Sequence, residues 1–176
     1  LESVAKALPL LKGDWELSLR GDLRHYGDWF SAVFPSELSS RISLLPAVPN
    51  GELLARTMSH GVGLALEIPY CPSRDLTATN KIFEYLRAGL AIIATRTRGQ
   101  VEVMQQCPGA GIVVDPQNTL DLVAAMQAYI DDRERLKLAR KASEDAGGTV
   151  WAWECHRKLL VDTIASCVTS NQEMKQ

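Results

Sequence analysis

The sequence predicts an α/β protein with three layers, α/β/α, built around an open, mainly parallel sheet. Patterns typical of buried strands alternate with helical patterns along most of the 176 residues, and the connections between them are short. Residues 91–94, Ala-Ile-Ile-Ala, are a continuous apolar run, as expected for a parallel strand covered on both faces. No fixed repeat and no Pro- or Ser-rich linker appears. We therefore expect one domain over residues 1–168, followed by a polar tail at 169–176.

The first half alternates helices and strands. Apolar residues at positions 1, 4, 5, 8 and 11 predict a helix over residues 1–12 that ends at Gly13. Asp28 is a candidate N-cap for a helix that Pro35 ends, and Asn50 is a candidate N-cap for a helix at 52–60. Alternating or continuous apolar runs predict strands at 15–19, 41–45 and 61–66.

The second half continues the alternation. The pattern predicts helices near residues 80–88 and 100–106, with strands at 91–94 and 111–115. Gly89 is placed to end the first of these helices, because glycine adopts positive φ without strain. Asn118 is a candidate N-cap for an amphipathic helix with an apolar stripe that includes Leu120 and Leu122. Helices over 133–146, ended by Gly147 and Gly148, and over 151–168 complete the chain.

Composition excludes several classes of function. The net charge of −2 gives no reason to expect nucleic acid as a partner, and no apolar run approaches the length of a membrane span. The four cysteines have no metal-like spacing, so we interpret them as free thiols in a reducing cytoplasm. The three histidines are scattered, and we expect no metal and no cofactor. The chain begins with Leu1 rather than Met, and we expect it to be part of a longer protein.

The polar run over residues 73–79 is the main candidate site. We interpret it as a loop that leads into the helix at 80–88, where unpaired backbone N–H groups and the positive end of the helix dipole meet. Such a place binds phosphate well. Amides of Thr77, Ala78, Thr79 and Asn80 would cradle a diphosphate, and Lys81 would add a charge. The alternative is an ordinary solvated loop with an exposed lysine.

The same region carries a resemblance to a known family. The segment Asn-Lys-x-x-Glu-Tyr-x-x-Ala-Gly at 80–89, the strand after it, Arg-Gly-Gln-Val-Glu at 98–102 and Gly-Ile-Val-Val-Asp-Pro at 111–116 resemble the donor-binding half of GT-B glycosyltransferases. Within these, the chain is most similar to the retaining enzymes of family 4, also called glycosyl transferases group 1. The resemblance covers residues 1–165 and is most specific over 62–116. It implies a Rossmann-like domain.

The resemblance assigns a role to Glu84 and leaves one position unfilled. Glu84 matches the second glutamate of the family pattern Glu-(seven residues)-Glu, which accepts hydrogen bonds from the ribose hydroxyls. A carboxylate suits a diol, because its two oxygens accept two O–H donors. The first glutamate of the pattern falls at Leu76. Asp75 is adjacent and is a weak catalytic candidate, since the family's first acidic residue touches the transferred sugar.

Three other segments match the family less specifically. Gly21, after the strand at 15–19, resembles the glycine turn near the phosphates. Val48 lies in a segment that resembles the one whose backbone meets the base. Glu102 resembles an acidic residue that shapes the sugar pocket, which makes it a second weak catalytic candidate; a solvated residue in the first turn of a helix is the alternative. Arg96 and Arg98 face either a diphosphate cleft or water.

By resemblance, the whole protein would be a cytoplasmic hexosyltransferase of polysaccharide biosynthesis. It would move a hexose from a UDP- or GDP-sugar to a glycan, lipid or other acceptor, with no bound metal, because the helix dipole, amides and basic side chains stabilise the leaving diphosphate. The partners implied are the nucleotide sugar and an N-terminal acceptor-binding domain that this chain lacks. Peripheral membrane association would come through that domain. We expect the chain alone to be inactive as a transferase.

Two alternatives stay open. A non-catalytic nucleotide-binding or assembly module with a degraded site accounts for Leu76 in place of glutamate. A sugar-nucleotide epimerase of the same architecture would need carboxylates and a histidine grouped in the cleft, and the sequence shows no such group. NAD binding is disfavoured, because Gly61-Val62-Gly63 lacks the third spaced glycine of the dinucleotide fingerprint.

Overall fold

A computed structural model describes the backbone of residues 1–173 and the side chains through residue 167. The predicted alternation of helices and strands is present. The strands are β1 (Leu17–Arg20), β2 (Ile42–Leu45), β3 (Val62–Ala65), β4 (Ala91–Thr95) and β5 (Gly111–Val114). The α-helices are α1 (Glu2–Ala7), α2 (Gly27–Val33), α3 (Asn50–Thr57), α4 (Pro72–Leu76), α5 (Asn80–Arg87), α6 (Arg98–Gln105), α7 (Thr119–Asp131), α8 (Arg133–Gly148) and α9 (Trp153–Glu173).

All of the described strand pairs are parallel, as predicted. They form two hydrogen-bonded sheets, β1-β2 and β3-β4-β5, rather than one. In the larger sheet, Val62 is opposite Ala91, and Ile92 is opposite Gly111. Because parallel strands run in one direction, the carboxyl ends of β3, β4 and β5 lie at the same edge of this sheet.

The central strand β4 separates two apolar clusters, which makes the architecture three-layered. Its five residues are all buried. Ala91 and Ile93 join a cluster with α1 and α7, whereas Ile92 and Ala94 join a second cluster with α5 and α6. Successive side chains of a strand point to opposite faces, so an unbroken apolar run supplies both cores. The smaller sheet shares the first cluster through Leu17.

Several predicted helix ends differ from the structure for local reasons. The first α-helix stops at Ala7 and continues as a 3₁₀ turn over Leu8–Leu10, because Pro9 has no N–H to donate. Asp28 and Asn50 lie inside the first turns of α2 and α3, where Tyr26 and Pro49 occupy the N-cap positions. The predicted cap Asn118 is confirmed, since its side chain accepts the N–H of Leu120.

The apolar stripe of α7 is narrower than predicted. Leu122, Ala125 and Tyr129 are buried, but the Leu120 side chain is exposed. Residues two positions apart on a helix do not face the same side, so Leu120 and Leu122 cannot both pack on the sheet. At the other end of the chain, α9 extends through Glu173, and residues 174–176 of the predicted tail lie outside the described residues. None of the helices within residues 1–173 is long and apolar enough to cross a bilayer.

The prediction of a loop over residues 73–79 was wrong for residues 73–76, which belong to the helix α4. Pro72 occupies its first turn, where a missing N–H costs nothing and the fixed φ favours the helix. Asp75 also lies in this helix and faces α6 (below). The connection to α5 is therefore only residues 77–79.

Candidate functional site

A polar cluster lies at the carboxyl edge of the larger sheet, where β3 and β4 end. Glu67 follows β3 and Thr95 ends β4. The backbone N–H of Glu67 donates to Oγ1 of Thr95 at 2.8 Å, which joins the two strand ends. In open parallel sheets, ligands bind outside the carboxyl ends of the strands. The predicted residues of α5 lie at this edge.

Glu67 is bonded to two of the predicted site residues. Its Oε1 accepts the hydroxyl of Thr79 at 3.0 Å and the ammonium of Lys81 at 2.9 Å. The Glu67 side chain is only 13% exposed, against 50% for Lys81. Sequence reasoning missed Glu67. The signal that could have found it is an acidic residue directly after a predicted buried strand.

The N-terminus of α5 presents the backbone groups that the sequence predicted. Thr79 occupies the N-cap position, but its hydroxyl donates to Glu67 and makes no capping bond. Amides of Asn80 and Lys81 belong to the first turn, where an α-helix supplies no internal acceptor. The Thr77 hydroxyl donates to the carbonyl of Ser73 at 2.6 Å, and Ala78 is half-buried. Lys81 thus brings a charged donor to this helix end, beside the Thr79 hydroxyl.

Glu84 lies one turn further along α5 and is exposed. Its carboxylate makes no hydrogen bond or ion pair with any side chain in the described part of the chain. Ile82 and Leu86 are buried on the opposite side of α5, which keeps Glu84 outward. The neighbouring Tyr85 packs so closely on β3 that a Cβ at Gly63 would lie 2.4 Å from its ring. Burial raises the pKa of Tyr85, and the nearby Glu84 raises it further, so its phenol stays neutral.

Both carboxylate oxygens of Asp75, the first weak catalytic candidate, contact Arg98 at the start of α6. Its Oδ1 accepts the backbone N–H of Arg98 at 3.1 Å, and its Oδ2 lies 2.9 Å from Nε of Arg98. The neighbouring Leu76, at the position of the missing glutamate, is 62% exposed. Glu102, the second weak candidate, is exposed on α6. The structure brings Asp75 to the start of α6 and leaves Glu102 on the surface of that helix.

The start of α6 and the connection before α5 are packed backbone to backbone. A Cβ at Gly99 would lie 2.5–2.6 Å from backbone atoms of Leu76, Thr77 and Ala78. Thr97 caps α6 by accepting the N–H of Gln100. Gln100 is fully buried, and neither its amide oxygen nor its amide nitrogen has a hydrogen-bond partner in the described part of the chain. These contacts hold the N-termini of α5 and α6 side by side at one edge.

Gly21 and Val48 lie in the smaller sheet. Gly21 directly follows β1 and donates its N–H to the carbonyl of Leu45 at 3.0 Å, and Val48 follows β2 and is half-buried. A Cβ at Gly21 would meet nothing within 4 Å, but the backbone φ of +155° favours glycine there. Among the described residues, no hydrogen bond or ion pair joins either of them to α5. The structure therefore gathers Thr79, Asn80, Lys81 and Glu84 and leaves Gly21 and Val48 on a separate pair of strand ends.

A cavity lies near the site and is not part of it. It has a volume of about 280 Å³, lies between α6 and β5 and is lined by Arg96, Met104 and Cys107 among others, and it includes no residue of α5. Burial raises the pKa of the Cys107 thiol. Within residues 1–173, no three His, Cys, Asp or Glu side chains are grouped closely enough to hold a metal ion.

Comparison with solved structures identifies the fold. Sucrose-phosphate synthase from Thermosynechococcus elongatus matches 96% of this chain with a TM-score of 0.74 and 16% identity. The HepE protein of Anabaena, solved in complex with UDP, matches 93% with a TM-score of 0.73 and 15% identity. WaaG, a glycosyltransferase involved in lipopolysaccharide biosynthesis, matches 84% with a TM-score of 0.63 and 13% identity. No protein-family model and no curated protein sequence matches the chain.

The match covers less than half of each of these proteins. The chain corresponds to 42% of the sucrose-phosphate synthase, 44% of HepE and 39% of WaaG. At these identities the similarity establishes the architecture alone. The parallel sheets flanked by helices match the Rossmann-like half of these GT-B structures, and this chain has that fold.

Proposed function

We propose that this chain is the donor-binding domain of a glycosyltransferase that uses a nucleoside-diphosphate sugar. The observation that carries the proposal is the N-terminus of α5 at the carboxyl edge of the sheet, with Lys81 and Thr79 at its start and Glu84 one turn further. A diphosphate at this helix end would meet the free amides of Asn80 and Lys81 and the lysine charge. The solved complexes of HepE with UDP and with UDP-glucose support the choice of ligand class.

Glu84 supplies the second half of the recognition. Its carboxylate is exposed, unpaired by other side chains within the described residues, and on the same side of α5 as Lys81, since residues three positions apart are neighbours on a helix. A ribose diol would therefore reach both carboxylate oxygens when its phosphates lie at the helix end. The whole protein would transfer a hexose from a UDP- or GDP-sugar, with no metal required, to an acceptor held by another domain.

A second candidate is a nucleotide-binding module without catalysis. It is favoured by the state of the two positions that would touch the sugar. Leu76 carries no charge, and Asp75 is bound by both the backbone and the side chain of Arg98. In this alternative, nucleotide binding at α5 persists and sugar transfer by the whole protein is absent.

Calorimetric titration of the chain with UDP, GDP and ADP tests nucleotide binding. We expect one of these to bind, and Glu84→Ala to weaken it about tenfold or more, because two hydrogen bonds to a charged group are lost. Glu134→Ala is the matched control, because Glu134 is also an exposed glutamate on a helix. Leu136, two residues further on, packs beside Gly61 at the amino end of β3, whereas the proposed site is at the carboxyl end. Binding of no diphosphate, or equal loss in both variants, would contradict the proposal.

A further inference from the structure

The contact between Glu67 and Lys81 places a negative charge beside the proposed phosphate position. One oxygen of the Glu67 carboxylate accepts hydrogen bonds from both the Lys81 ammonium and the Thr79 hydroxyl. Both donors lie at the start of α5. Glu67 therefore occupies the same hydrogen-bond donors that an incoming phosphate would use.

Glu67 is held where it is by more than Lys81. Its backbone N–H is bonded to Thr95 at the end of β4, and its side chain is 13% exposed. The backbone bond fixes the position of residue 67, and burial of the side chain restricts movement of the carboxylate. Lys81 is the mobile partner, because its side chain is half exposed and long. A diphosphate would have to draw the ammonium away from Glu67 and then lie near the remaining carboxylate.

The cost of this arrangement depends on the charge of the ligand. The terminal phosphate of a free nucleoside diphosphate has a second ionisation near pH 6, whereas a glycosyl ester at the same phosphate has none. Near pH 8, UDP thus carries about one more negative charge than UDP-glucose. Repulsion by Glu67 falls more heavily on UDP.

We propose that Glu67 is a positioning and affinity-setting residue that retains Lys81 and, through its own negative charge, weakens binding of the free nucleoside diphosphate more than binding of its sugar ester. The inference rests on the proposed function, because it assumes that phosphates bind at α5. In the reaction of the whole protein, it would favour release of the product nucleotide over loss of the donor.

The test compares the affinities of UDP and UDP-glucose for four forms of the chain near pH 8: unmodified, Glu67→Gln, Lys81→Gln and the double variant. Glutamine keeps the size of Glu67 and its ability to accept from Thr79, but lacks the charge. We expect Glu67→Gln to bind UDP about tenfold more tightly, because Lys81 can then give one charge-assisted hydrogen bond to the phosphate. The affinity for UDP-glucose should rise by a smaller factor. In the Lys81→Gln background, the gain from Glu67→Gln should fall. Glu134→Gln should change neither affinity.

A loss of folding cannot imitate this result, because a merely structural role predicts weaker binding and not tighter binding. UDP affinity that is unchanged or lowered in Glu67→Gln, or an equal gain for both ligands, would overturn the inference and leave the proposed function standing. If GDP rather than UDP is the diphosphate that binds, the same four forms are compared with GDP and a GDP-sugar; if no diphosphate binds any form, the proposed function fails as well.

A measurement on the unmodified chain gives an independent check if Glu67→Gln does not fold. The nitrogen NMR signal of the Lys81 ammonium, assigned by its absence in Lys81→Gln, should move when UDP saturates the chain, because the ammonium exchanges one acceptor for another. A signal that stays at its ligand-free position while UDP binds would overturn the inference.

Discussion

Asp75 and Arg98 join α4 to α6 through two contacts, one to the backbone and one to the side chain. The Oδ1 atom accepts the N–H of Arg98 at 3.1 Å, and Oδ2 lies 2.9 Å from its Nε. The backbone bond satisfies one of the N–H groups at the start of α6 that have no acceptor within the helix. Asp75 therefore acts on α6 as a capping residue would, although it comes from a different helix.

The two contacts of Asp75 should contribute unequally to stability. Asp75→Asn keeps an acceptor for the backbone N–H and loses the ion pair, in which Arg98 is 78% exposed. We expect a loss of less than about 1 kcal/mol in the free energy of unfolding, as for exposed pairs. Asp75→Ala loses both contacts and should cost about 1–2 kcal/mol, as when a capping side chain is removed. Urea unfolding of both variants measures the difference; equal losses would show that the backbone bond contributes nothing.

Gly99 is the position where a single methyl group should disturb the site. Its Cβ would lie 2.5–2.6 Å from backbone atoms of residues 76–78, and backbone cannot move aside as a flexible side chain can. Gly99→Ala should lower the free energy of unfolding by about 1–3 kcal/mol through overpacking, even though alanine is the better helix former. It should also weaken nucleotide binding, because the displaced segment leads into α5.

Gly148→Ala is the matched control for Gly99→Ala. Gly148 is also helical, at the end of α8, but a Cβ there meets nothing within 4 Å. This variant should be neutral or more stable by up to about 1 kcal/mol, since alanine loses less backbone entropy. The two substitutions should therefore change the free energy of unfolding in opposite directions, and thermal unfolding measures both changes. A stabilised Gly99→Ala would show that α6 can shift away from the connection before α5.

The cysteines should differ in reactivity in a pH-dependent way. Burial raises the pKa of Cys107, so at any given pH a smaller fraction of it is the thiolate that reacts. Cys155 is exposed. In native chain near pH 8, iodoacetamide should label Cys155 quickly and Cys107 slowly, and labelling of Cys107 should rise only at higher pH. Peptide mass spectrometry measures both rates, and denatured chain serves as the control in which the rates converge. Equal rates in the native chain would contradict the burial of Cys107.

Much of the fold was predictable because it depends on local sequence patterns. The unbroken apolar run of β4, the positive φ of +65° at Gly89 and the capping side chain of Asn118 each follow from residues within a few positions of one another. The helix α4 was missed, because a proline followed by polar residues is compatible with either a loop or a first helical turn. Its contact with α6 is what selects the helix.

The candidate site divides in the same way. The placement of Asn80, Lys81 and Glu84 at the start of α5 could be predicted, since a helix start after a polar run and one turn of spacing are sequence features. Their role in binding stays a prediction. Glu67 could not be paired with Lys81 from the sequence, because 14 residues separate them and only the packing of α5 beside β3 brings the two side chains together. The 23-residue separation between Asp75 and Arg98 has the same consequence.

The amino-acid sequence by itself determined most of the helices and strands, their order and the start of α5, because hydrophobic periodicity and helix-terminating residues act over one or two turns. The tertiary structure alone decided that the strands divide into two sheets, that Asp75 is taken up by Arg98, and that Lys81 is held by Glu67. Hydrogen bonds and ion pairs between distant segments depend on distances of about 3 Å, as expected for their short range, and only the packed chain sets those distances.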